Sequence, residues 1–326
     1  MNTSSFNSCL PLSYKLSDEP KPSLEAFFFI LYSVCGLAAI SGNTLVLVAV
    51  YKTPNLQTVS NKLLCSLAFA DLLVGILHCP FYCIMVAIRA DSSGATLKLD
   101  FFLWTQTLFS TTLNLSAVSG DRYMAIKWPL KYALTSERVY TGMIVFIWIS
   151  SFILAVPTLV FKDLTTLSAY TAFCAFITLI LPSFIITWTY FEIVKISKRH
   201  ARIAPSPSRQ LPGVENTIED SLGNFNQGRI APMAPSRFAK NRKAVATFAI
   251  IASMLVVTFT PNLFFAVWFS KAESCEKGYH IFQIWTWSLI VLCSGSAMNP
   301  IIYGLRNREF RSAFKRILRS FLNTNN

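Results

Sequence analysis

Seven long stretches of this chain are almost free of charge, and that pattern limits the fold more than any other feature. Residues 26–51, 101–120, 139–161, 164–191, 244–270 and 278–305 carry no Asp, Glu, Lys or Arg, and 63–88 is broken only by Asp71 and His78. A helix needs about 20 apolar residues to cross the hydrocarbon core, and each run is of that order. A backbone in lipid must satisfy its own hydrogen bonds, so runs of this length predict helices; a transmembrane strand would need only about 10 residues. The fold class expected is therefore an all-α membrane protein, a bundle of seven transmembrane helices. Only 14% of residues are charged, against about 25% in soluble domains.

Orientation follows from the basic residues. Of the 29 lysines and arginines, 22 fall on segments that share one face if the N-terminus is outside, and 7 on the other. Basic residues collect on the cytoplasmic side, which predicts an extracellular N-terminus in the plasma membrane. The same bias explains the net charge of +13. Charge spread along one membrane face points to anionic lipid and an acidic cytoplasmic partner, and away from nucleic acid.

Three regions result: an extracellular tail at 1–25, a membrane domain at 26–305 and a cytoplasmic end at 306–326. The tail carries a glycosylation sequon at Asn2. Residues 201–236 hold five prolines among Ser, Gly, Asn and Arg, and read as a disordered cytoplasmic loop. Beyond the last run, Phe310, Phe314, Ile317, Leu318 and Phe321 recur at helical spacing between basic residues, predicting an amphipathic eighth helix in the cytoplasmic interface. Six cysteines sit in or near apolar runs; Cys9 and Cys275 face the oxidising side and could form a disulfide.

Polar residues recur at one place per run: Asn43 in the first, Asp71 in the second, Asp121-Arg122-Tyr123 at the inner end of the third, Trp148 in the fourth, Pro182 in the fifth, Pro261 in the sixth and Asn299-Pro300-Ile301-Ile302-Tyr303 in the seventh. Together these marks resemble the rhodopsin-like, class A family of G-protein-coupled receptors, from about residue 26 to 322. The resemblance implies a receptor and no enzyme, activating heterotrimeric G proteins by opening the inner ends of its helices. It gives coupling roles to Asp121, Arg122, Tyr123, Leu130, Tyr190, Asn299, Pro300 and Tyr303, with Asp121 restraining Arg122 in the resting state. It also places Asn43, Thr111, Ser296 and Asn299 around Asp71, as oxygen ligands that suit an allosteric Na⁺; no other cofactor is expected. A water-filled polar cluster is the alternative for that site.

Departures from the family are equally informative. Leu97 stands where a cysteine usually bridges the third helix to the second outer loop, an absence shared with melanocortin and lysophospholipid receptors. Asn241 replaces the acid that often pairs with Arg122 across the sixth helix, which predicts raised resting activity. Trp104 occupies the position of the aspartate that binds an ammonium in aminergic receptors, and Cys293 that of the opsin lysine. The expected ligand wall is Tyr82, Trp104, Thr105, Leu108, Phe109, Cys174, Thr178, Phe259, Asn262, Leu263, Trp285 and Leu289, with some of these only packing between helices. Such a wall suits a neutral or lipid-like small molecule, with a peptide as a further option. The rival from another class is a transporter or ion-coupled channel using Asp71, which the absence of repeated halves disfavours.

Overall fold

The computed structural model describes residues 22–87, 94–161, 164–203, 250, 253–254, 257–261, 264 and 275–324. Among them there is no strand. The first span is the helix Pro22–Lys52. The second consists of Val59–Leu73, a π-helical turn Val74–His78 and Cys79–Ala87. Gly94–Lys127 is the third, Glu137–Ala155 the fourth, Leu164–Ile203 the fifth and Cys275–Arg306 the seventh. Residues 250, 253–254, 257–261 and 264 are helical and belong to the sixth.

Local chemistry sets several boundaries. Thr58 caps the second span by accepting from the backbone of Asn61 at 3.3 Å, and Ser136 caps the fourth from Arg138 at 3.3 Å. Pro54, Pro129 and Pro157 each open a short helical turn, where the missing N–H costs nothing. Pro80 follows the π turn; a proline ring crowds the carbonyl four residues back, and a widened turn relieves that crowding.

Five of these helices are long and apolar enough to cross a membrane by composition. The third is 34 residues long yet too polar to count among them. Its polar groups do not meet lipid, because the second, fourth and fifth spans pack around it. They bond back into their own helix: Thr112 to the Leu108 carbonyl at 2.8 Å, Asn114 to Ser110 at 2.7 Å, Ser116 to Thr112 at 2.9 Å and Ser119 to Leu115 at 2.9 Å. Among the described spans, this polar one is thus enclosed by three others.

Close packing joins the first span to the second and seventh. A Cβ on Gly75 would lie 2.9 Å from the Gly36 carbonyl, and one on Gly42 would lie 2.9 Å from Pro300 Cγ. Small residues let helices in lipid approach where no hydrophobic effect drives them together. On the fourth span, Trp148 Nε1 donates to Ser66 Oγ at 3.0 Å.

The expected eighth helix is Arg308–Thr324. Phe310, Ala313 and Ile317 are buried against the bundle, while Leu318, Phe321 and Leu322 are exposed. Arg316 ties it to Thr53 beside the first inner turn, at 3.1 Å. The fifth span continues to Ile203, three residues into the segment expected to be disordered. The rest of that segment, Asn2, Cys9 and Asn241 lie outside the described residues, as does the side chain of Cys275.

Candidate functional site

Three groups of polar residues lie along the helix bundle. At the inner end, Arg122 Nη2 pairs with Asp121 Oδ2 at 3.1 Å. The carboxylate is buried and held from two neighbouring elements: Ser60 of the second span donates at 2.5 Å, and Tyr140 of the fourth at 2.7 Å. Tyr123 turns the other way, into a cluster with Ile126 and Ile193, its ring 5.2 Å from that of Trp188. Leu130 is exposed on the turn Pro129–Ala133, and Tyr190 is exposed on the fifth span. Tyr303 is buried and packs on Phe310 at 5.8 Å. Of the residues expected to couple, Asp121 and Arg122 bond to each other, Leu130 and Tyr190 are each exposed, and Tyr303 is packed against the eighth helix.

Midway through the membrane, Asp71 is fully buried. Asn299 Nδ2 donates to its Oδ2 at 2.6 Å, and Ser296 lines the same cavity. Asn43 holds the seventh span in place by donating to the Ser296 carbonyl at 3.1 Å. Asp71 Oδ1 and Asn43 Oδ1 are buried without a hydrogen-bond partner among the described residues. A charged side chain left unpaired in the hydrocarbon costs about 2.5–3.5 kcal/mol on insertion scales.

Above it lies a cavity of about 50 Å³, room for several waters at roughly 10–15 Å³ each. It runs without interruption from Asp71, Thr111, Ser296 and Asn299 outward to His78, Trp104, Leu108 and Phe259. Residues expected around an ion and three of those expected around a ligand thus line one space. From the expected wall, Trp104, Leu108 and Phe259 line it, with Trp104 and Phe259 rings 6.3 Å apart. Thr105, Phe109, Cys174, Thr178 and Leu289 are instead buried between helices; Thr178 spends its hydroxyl on the Cys174 carbonyl at 2.7 Å. Tyr82 lies outside the cavity lining, stacked on Tyr32 at 5.0 Å. Asn262, Leu263 and the side chain of Trp285 lie outside the described residues.

Sequence reasoning missed His78, Thr107, Thr258 and Cys293 in the lining. His78 was visible as one of two polar interruptions of the second run; the others have side chains too ordinary in a helix to stand out. It also missed Asp100, the last charge before the third run begins. Tyr82 donates to Asp100 Oδ1 at 3.0 Å.

A family model described as "7 transmembrane receptor (rhodopsin family)" matches residues 42–303. Dopamine receptor 1 of Drosophila melanogaster is 29% identical, over 97% of this chain and 68% of its own length. The alpha-1D adrenergic receptor of Rattus norvegicus is 26% identical over 87% of this chain and 55% of its own, so the chain spans about half the length of that relative. The 5-hydroxytryptamine receptor 1D of Cavia porcellus is 26% identical over 91% of this chain and 89% of its own.

Proposed function

Because the chain belongs to the rhodopsin family of seven-transmembrane receptors, we propose that it takes up a small extracellular ligand from the outer side of the bundle and signals to a heterotrimeric G protein at the inner side. The N-terminus is extracellular in this reading, as the distribution of basic residues supports. The observation that carries it is the clamp on Asp121. A lysine or arginine that merely marked the inner face would be wet and unpartnered. Arg122 is instead 18% exposed and paired with an acid that two other spans hold in place. Such a pair has two settings: closed on Asp121 at rest, or released toward a partner's carbonyl groups when the inner helix ends separate.

The purified chain in vesicles, given a G protein, accelerates guanine-nucleotide exchange. Solute uptake into those vesicles without exchange would make it a transporter instead. Asp121→Asn isolates the charge, since the amide still accepts from Ser60 or Tyr140. Removing a charge-assisted bond worth about 1.5–3 kcal/mol raises ligand-independent exchange on the order of tenfold at matched expression, less to the extent that water reaches Arg122. Resting exchange that stays at the parent's level would remove the restraint from Asp121.

For the ligand, the cavity wall at Trp104, Leu108 and Phe259 supports a neutral, apolar body, lipid-like or aromatic. The relatives bear the names of dopamine, adrenergic and 5-hydroxytryptamine receptors. Trp104, at the position the family resemblance gives to the amine-binding aspartate, offers a π face where those names would lead one to look for a charge.

The unpartnered oxygens at Asp71 and Asn43 support Na⁺ as an allosteric ion, with Thr111, Ser296 and Asn299 as further oxygens around it. An ion that binds the resting arrangement more tightly shifts the equilibrium only that way. Raising sodium therefore lowers resting nucleotide exchange, and Asp71→Asn abolishes the salt response. A response that persists in Asp71→Asn places the ion elsewhere.

A further inference from the structure

His78 reaches the cavity as part of one stripe on the second span. Leu67, Asp71, Val74 and His78 follow each other at spacings of four, three and four, the period of one helix face, and all of them line the same space. The π turn Val74–His78 ends at this histidine, and such turns are frequent at functional sites. His78 is 2% exposed, so its ring is removed from bulk water.

One ring nitrogen is accounted for. The Thr107 hydroxyl sends its proton to the Leu103 carbonyl at 2.8 Å or to Gln106 Oε1 at 3.4 Å, both of them acceptors. The 2.9 Å contact between Thr107 Oγ1 and His78 Nε2 therefore has the imidazole as donor. In the neutral imidazole a proton on Nε2 leaves Nδ1 a lone pair. Nδ1 is buried without a partner among the described residues. A buried acceptor without a donor is costly, and a donor brought by a guest removes that cost.

The surroundings select the donor. The Trp104 ring stands 6.1 Å from that of His78, and Leu108, Leu292 and Cys293 continue the wall. Among the described residues no lysine or arginine lines the space, and its one acid, Asp71, lies two helical turns inward, about 10 Å along the axis, bonded to Asn299. A cation at His78 would lack a counter-charge there, and an anion would meet a lone pair. An amide N–H would bring a carbonyl that the Thr107 hydroxyl, already spent, cannot satisfy. A neutral O–H meets none of these objections.

We infer that the receptor's ligand is an alcohol, a neutral apolar molecule whose hydroxyl donates to His78 Nδ1 while the wall from Trp104 to Phe259 surrounds its hydrocarbon body. The inference rests on reading the cavity as the ligand site and makes His78 the residue that selects for the hydroxyl.

Three unbranched probes of equal length separate the donor from the shape: 1-hexanol, 1-methoxypentane and heptane. The full chain in bilayers carries nitrogen-15 histidine and carbon-13 methyl groups on leucine and methionine. Substituting His200 and His280 with Gln assigns the remaining signals to His78. Occupancy is read from nuclear Overhauser contacts between each probe and Leu108 or Met254, both in the lining. With 1-hexanol bound, the Nδ1 resonance is expected upfield of its position with the ether or heptane bound, because only the alcohol donates to it. After correction for partition into the bilayer, the alcohol binds roughly tenfold tighter than the ether, as one net hydrogen bond produces. In His78→Phe that ratio falls to near unity while the contacts persist. An Nδ1 position that is the same for alcohol and ether, equal affinities of the two in the parent, or a ratio that survives in His78→Phe overturns the inference and leaves the cavity as a ligand site. The nitrogen reading uses the native histidine, so it decides even where His78→Phe does not fold. Absence of contacts for all three probes overturns the cavity reading, and the inference with it.

Discussion

Arg122→Ala abolishes nucleotide exchange on the G protein while the receptor still reaches the membrane. The two halves of that expectation have separate physical grounds. Removing Arg122 leaves the buried Asp121 carboxylate with its bonds from Ser60 and Tyr140, so no naked charge is left behind to unfold the bundle. Coupling, in the proposed reading, loses the group that moves from an internal acid to a partner's backbone. A charge-assisted bond contributes about 1.5–3 kcal/mol, and its loss together with that of the two-setting device predicts a decrease of about a hundredfold or more. Exchange is measured against surface protein counted in the same cells. Normal exchange by a well-expressed Arg122→Ala receptor would remove the inner pair from the mechanism.

Gly75→Val, on the second span, prevents the receptor from accumulating at the surface. A Cβ there meets Ile40 Cγ1 at 2.8 Å, the Gly36 carbonyl at 2.9 Å and the Ile40 nitrogen at 3.2 Å. Two of those atoms are backbone and cannot swing away, so the first and second spans must separate. Overpacking of a tight site costs about 1–3 kcal/mol per substitution, and valine brings two methyls beyond the Cβ. Because Gly75 belongs to the π turn that carries His78 and precedes Cys79, the same separation displaces a cavity wall. Gly142→Ala on the fourth span is the control, since a Cβ there meets nothing within 4 Å. Thermal unfolding of the solubilised protein is expected to fall by many degrees for Gly75→Ala and to be unchanged for Gly142→Ala. Equal melting of the two would show that the first and second spans are not held by this contact.

Much of the fold was legible because the bilayer imposes a length and a charge rule that show directly in the order of residues. The eighth helix was legible for the same kind of reason: Phe310 and Ile317 fall seven residues apart, and both are buried. The ion pair of Asp121 and Arg122 stood out as charge at the edge of an uncharged run. The lining of the cavity was legible only in part. Trp104, Leu108 and Phe259 face the cavity, but Thr105 and Phe109 are buried between helices. A residue one position along a helix turns by about 100°, and an unlabelled apolar run does not reveal which angle faces the cavity.

The order of residues by itself determined the number of spans, the bias that orients them and the identity of the groups too costly to leave unpaired in lipid, because each of these depends on local hydrophobicity and charge. Tertiary structure decided which of those groups meet. Ser60 and Tyr140, 61 and 19 residues from Asp121, converge on one carboxylate, and Asn299 crosses 228 residues to reach Asp71. It also decided that the polar third span is enclosed by the second, fourth and fifth, and that Asp71, His78 and Trp104 share a single cavity. Such meetings depend on helix rotation and on close approaches like that of Gly36 to Gly75, which are set by three-dimensional packing between distant segments and leave no periodic trace along the chain.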